Sequence, residues 1–166
     1  RAAGFTRKIK RNFINFAPAS MGRVIAIDYG RKRTGIAVTD INRMIASPLV
    51  TVRSDEAVNF LSGYFASEEV DVIVVGYPKQ MNNKPSEAVK YIDPFLRRLR
   101  KLFPGKKLVL EDERLTTVMS MKAIIEGGVK KKERMDKSLA DKISASLILR
   151  SYLEKSGMEK TKAEKK

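Results

Sequence analysis

The chain has 166 residues, enough for one hydrophobic core of the usual size, about 100 to 150 residues, and too few for a second catalytic domain. It contains neither cysteine nor histidine, which excludes disulfides, thiolate nucleophiles, sulfur-ligated zinc and imidazole bases, so any hydrolytic chemistry falls to carboxylates, hydroxyls or lysine. Its net charge is +15; the two tails contribute +5 and +2, the body keeps +8, and such an excess favours a polyanionic partner, nucleic acid above all.

Residues 1–20 are rich in arginine and lysine, contain no acid and show no clear period; Met21 reads as the natural start. This extension is expected to be either artificial or upstream sequence, or an organelle-targeting segment. Arg23 to Tyr29 is apolar on both faces until Asp28, Thr34 to Asp40 is a second strand-like run, and Ile45 to Val52 is a third. Together they predict an antiparallel meander whose first turn, Gly30-Arg31-Lys32-Arg33, has a basic tip. Val58, Leu61, Tyr64 and Phe65 give Glu56 to Ser67 an amphipathic helical spacing, with Asp55 as its cap. Asp71 to Val75 predicts a buried central strand, closed by Gly76-Tyr77-Pro78.

A helix follows, with Val89, Ile92, Phe95, Leu96 and Leu99 on one face, ending at Pro104-Gly105. Lys107 to Leu110 is the fifth strand. A helix is expected near Thr117 to Glu126, and a final long one over roughly Lys137 to Leu153, with a disordered or frayed Lys/Glu tail from residue 154 to 166. The order β-β-β-α-β-α-β-α-α describes an α/β domain over residues 21–153, a mixed five-stranded sheet flanked by helices in the RNase H-like topology. The longest apolar runs, such as Val72 to Val75, fall far short of the roughly 20 residues that cross a bilayer.

Three acids stand where the local pattern favours an inward-facing residue. Asp28 shares strand parity with Val24 and Ala26, which puts a carboxylate at the edge of a core; capping of the Tyr29-Gly30 turn is the alternative. Glu111-Asp112-Glu113 ends an apolar strand, where neighbouring acids repel unless a cation is present. By alternation Glu111 and Glu113 share the face of Val109, and Asp112 that of Leu108 and Leu110, so the three cannot all bind one metal. A solvated acidic loop, or a helix cap at Asp112, would explain the same run. Asp141 lies on a helical stripe with Ser144, Ala145 and Ile148, a small lining that lets a helix approach a sheet closely; a surface aspartate near a helix N-terminus is the alternative.

Four segments in order resemble the YqgF family: Ile27-Asp28-Tyr29-Gly30-Arg31-Lys32-Arg33-Thr34-Gly35-Ile36-Ala37, Val74-Val75-Gly76-Tyr77-Pro78, Asp112-Glu113-Arg114-Leu115-Thr116-Thr117 and Asp141-Lys142-Ile143-Ser144-Ala145. That family comprises Holliday junction resolvases with an RNase H-like fold, also assigned to maturation of the 5′ end of pre-16S ribosomal RNA. The resemblance covers Met21 to Leu153. Tyr77 departs from the more usual leucine, and Leu139-Ala140 stands where valine is typical; neither touches the acids. The resemblance implies catalytic, metal-binding roles for Asp28, Glu113 and Asp141, with Asp112 in reserve, and two Mg2+ or Mn2+ ions in phosphodiester hydrolysis. Lys32, Arg33, Arg114, Lys130, Lys131 and Lys132 are candidates to engage phosphates.

The expected substrate is pre-rRNA, in ribosomal precursor particles or free, with branched DNA as the competing one. No membrane partner is expected, and the oligomeric state is left between monomer and homodimer. A cytoplasmic location follows, or an organellar one should the N-terminal segment be a targeting sequence. Two other classes compete: a nucleotide-binding protein, since the glycine hairpin after Asp28 resembles the phosphate loop of sugar kinases and actins, and a non-catalytic RNA- or ribosome-binding module. The first needs two such domains, and this chain has one.

Overall fold

The computed structural model describes residues 22–78, 87–112 and 137–163, with side chains of the last helix described for 138–157. The first three strands are β1 (Arg23–Tyr29), β2 (Arg33–Thr39) and β3 (Ala46–Arg53), followed by helix α1 (Ala57–Ser67), β4 (Val70–Tyr77), α2 (Val89–Leu102), β5 (Lys107–Asp112) and α3 (Lys137–Ala163). The strands form one sheet in the order β3-β2-β1-β4-β5. β1–β2 and β2–β3 are antiparallel, whereas β4 lies parallel to both β1 and β5. This is the mixed five-stranded sheet expected from the element order. The helix expected near Thr117 to Glu126 lies outside the described residues.

Period-two alternation divides the strand residues between two cores. Ile25, Ile27, Ile36, Ile73 and Val75 pack under α1 and α2 against Leu61, Ile92, Phe95, Leu96 and Leu99. Val24, Ala26, Ala37, Val72 and Val74 face α3, meeting Ala145, Ile148 and Leu149. Small side chains on both partners, Ala26 and Ala37 on the sheet and Ala145 on the helix, let α3 settle close to the strands. The edge strand β3 is largely exposed, and its register with β2 shifts between Ile36 and Ala37, beside Pro48. Proline there needs no ladder donor and blunts an edge open to stray pairing.

Two local expectations change. The N-cap of α1 is Glu56, without a side-chain cap, and Asp55 instead takes the Arg53 guanidinium at 3.1 and 2.8 Å. The last helix continues to Ala163, ten residues beyond the expected Leu153. Lys, Glu, Met and Ala are good helix formers, so the low apolar content that suggested a disordered tail does not itself oppose helix. No helix among the described residues is long and apolar enough to cross a membrane.

Candidate active site

The parallel strands β1, β4 and β5 end at the same edge of the sheet, where open α/β sheets commonly place their chemistry. Asp28 lies one residue before the end of β1 and pairs across the sheet with Gly35 of β2. Because Val24 and Ala26 face α3, alternation puts Asp28 on the α3 face as well. Directly opposite, Gly35 leaves room for the helix: a Cβ there would stand 2.0 Å from the Asp141 carbonyl oxygen and 2.4 Å from its carbon. Asp28 and Asp141 therefore flank the same notch, one from the strand paired with Gly35 and one from the helix resting on it.

Several contacts hold this geometry. Thr51 of β3 donates to the Ser138 carbonyl at 2.7 Å, fixing the first turn of α3. The Arg33 Nε donates to Asp141 Oδ2 at 2.8 Å. The β1–β2 turn is pinned from outside by Ser54, whose hydroxyl donates to the Gly30 carbonyl at 2.7 Å and whose amide donates to the Lys32 carbonyl at 3.2 Å. With its single hydroxyl proton so used, Ser54 accepts from buried Thr34 at 3.0 Å. Gly30 closes the turn: its amide donates to the Arg33 carbonyl at 3.0 Å, and a Cβ on it would lie 2.6 Å from that oxygen. On the opposite face Tyr29 stacks on Phe95 with ring centroids 3.9 Å apart. Burial pushes the Tyr29 phenol above its ordinary pKa, partly offset by the charge of Arg98.

The acids of β5 separate as alternation requires. Asp112 pairs with Tyr77 in register, on the parity of Leu108, and so stands on the face of α1 and α2, opposite to Asp28 and Asp141. Glu111 shares the α3 face with Val109 but is only 5% exposed. It accepts from Ser151 at 2.7 Å and forms an ion pair with Lys155. The solvated acidic loop considered for this run does not describe Glu111, which ties the far part of α3 to an edge strand. Glu113, Arg114, Lys130, Lys131 and Lys132 lie outside the described residues. Among the described residues no group of three or more Asp or Glu is gathered closely enough to hold a metal ion.

Lys32 and Arg31 are exposed at the turn, and a pocket beside them is lined by Arg31, Lys32, Arg53, Ser54 and Asp55. Sequence reasoning passed over three of the residues that shape the site: Gly35 as the seat of α3, Ser54 as the clamp on the turn, and Glu111 as a helix anchor. Only for Gly35 was there a visible signal, a glycine at an interior position of a strand.

A pre-16S rRNA nuclease of Parabacteroides distasonis, named with the qualifier "putative", is 56% identical over 134 residues, covering 81% of this chain and 96% of that protein. The protein of the same name from Bacteroides thetaiotaomicron is 52% identical, with 81% and 97% covered. Among solved structures, T. thermophilus RuvC in complex with a Holliday junction substrate is a distant likeness, with a TM-score of 0.49 at 14% identity over 82% of this chain and 96% of that one. The family model described as "RuvX: Holliday junction resolvase" matches residues 22–155, both acids of the notch included, and the chain belongs to that nuclease family.

Proposed function

We propose that the chain is a divalent-metal-dependent nuclease that processes the 5′ end of pre-16S rRNA in the cytoplasm. The observation that carries the reading is the pair Asp28 and Asp141, set on one face of the sheet at the Gly35 notch in a chain without histidine or cysteine. Their donor chemistry fits the group: carboxylate oxygens are hard ligands suited to Mg2+ or Mn2+. Asp28 and Asp141 would hold the ions, and Glu113 is the third carboxylate of the proposal, on the parity read from the sequence. Asp112, with its pairing on the other face, is no part of it. Bound there, such ions supply Lewis-acid chemistry, polarising the phosphodiester and lowering the pKa of water.

The chain's own residues do the remaining work. The Gly30–Arg33 turn, held by Ser54, keeps the end of β1 rigid, so Asp28 is aimed before substrate arrives. Lys32 and Arg31, both exposed beside that turn, can take flanking phosphates without reading bases. Cleavage of pre-rRNA and of a matched four-way DNA junction by wild type and Asp28→Asn, with Mg2+ or Mn2+, tests the reading. The expected result is metal-dependent cleavage of the RNA that falls at least about 100-fold in the variant. Equal cleavage by both proteins would sink the carboxylate site, and cleavage of the junction alone would move the substrate to branched DNA.

A further inference from the structure

Arg33 is placed where a cation of the proposed site would compete with it. It precedes Gly35 by two residues on β2 and so shares the face that carries Asp28 and receives α3. Its Nε reaches Asp141 Oδ2 at 2.8 Å, with the two side chains 43% and 27% exposed, so the contact is open to exchange. Arg33 also pairs directly across the β2–β3 ladder with Arg53. Like charges in that position repel. Here each guanidinium has its own carboxylate, Asp55 for Arg53 and Asp141 for Arg33.

We propose that Arg33 is the built-in counter-ion of Asp141, a positioning residue that a divalent cation must displace to take that carboxylate. The proposal builds on the metal-site reading above. Without the ion, Arg33 neutralises Asp141 and keeps it from repelling Asp28, so the notch stays assembled. With the ion, the guanidinium is released opposite Arg53 without a carboxylate of its own. One unbalanced cation, Arg33, then stands beside the site, complementary to the charge of a nucleic-acid backbone, while Arg53 keeps Asp55. Ion binding and substrate binding are thereby coupled, each favouring the other through the same side chain.

Calorimetric titration of Mn2+ into the full chain, without substrate, tests this on wild type, Arg33→Gln, Arg33→Lys and Asp141→Asn. Removing a unit charge so close to a divalent site should tighten Mn2+ binding on the order of five- to tenfold in Arg33→Gln. Arg33→Lys retains the charge and should bind close to wild type, while Asp141→Asn should lose most of the affinity. If wild type binds Mn2+ and Arg33→Gln binds equally or more weakly, Arg33 is no competitor and the inference is overturned while the metal site stands. No binding by wild type overturns both.

Discussion

Gly35→Ala is the sharpest perturbation of the site, because it adds one methyl group at the point where helix meets sheet. The added Cβ would lie 2.0 Å from the Asp141 carbonyl oxygen, against about 3.4 Å for ordinary contact, so the helix has to retreat by about 1.4 Å. The obstacle is helix backbone, with the Lys142 nitrogen also within 3.1 Å, and no side chain can swing aside. Overpacking of this kind costs about 1–3 kcal/mol, and a rigid obstacle puts the cost near the upper end. For a domain of this size that is a fall in Tm of roughly 6–12 °C. The retreat also carries Asp141 away from Asp28, and a displacement of about 1 Å at a reacting centre can cost 100-fold in rate. Thermal unfolding by circular dichroism and cleavage at a temperature where the variant is folded measure the two effects. Gly63→Ala is the control: it lies on the exposed side of α1 with nothing within 4 Å, and should gain about 0.5–1 kcal/mol. Wild-type Tm and wild-type cleavage in Gly35→Ala would refute the close approach and its role in bringing the acids together.

Glu111→Ala removes the acceptor of Ser151 and the partner of Lys155, bonds to a charged group buried to 5% exposure. It should lower the unfolding free energy by about 2 kcal/mol, read from the urea midpoint; an unchanged midpoint would show that α3 needs no such anchor. Asp40 accepts backbone amides of Ile45, Met44 and Asn42 at 2.8, 2.7 and 3.3 Å, and these bonds, led by that of Ile45, hold its carboxyl below the ordinary 3.8. A depressed carboxyl contributes stability that is complete above its unfolded value and is lost as the pH falls through the folded one. Asp40→Asn should therefore flatten the loss of Tm below about pH 4; curves of the same shape for variant and wild type would contradict this account of the β2–β3 turn.

Much of the fold was legible because strand and helix periods are local properties. Ile25 and Ile27 alternate with Val24, Ala26 and Asp28, and that alternation alone assigns Asp28 to one face. The same rule separates Asp112 from Glu111, and the observed register of β5 keeps them on opposite faces. The small stripe around Asp141 signalled a close helix, and Ala145 indeed lies buried against the sheet. Ordered motifs extended these local readings to a family.

Tertiary structure decided what depends on pairs far apart in sequence. Arg33 and Asp141 are 108 residues apart, and nothing in either neighbourhood selects the other. Glu111 sits in an acidic run that looks solvated, yet Ser151 and Lys155, 40 and 44 residues later, pair with it. Asp55 had the spacing of a helix cap, but the guanidinium of Arg53 offered a charged partner that a backbone amide could not match. Composition alone left carboxylates, hydroxyls or lysine for any hydrolytic chemistry, and periodicity put Asp28 on one face of its strand. That the Asp141 turn of the helix rests on the residue paired with Asp28 depended on the missing Cβ of Gly35, since only contact between a strand and a helix 106 residues onward makes that absence matter.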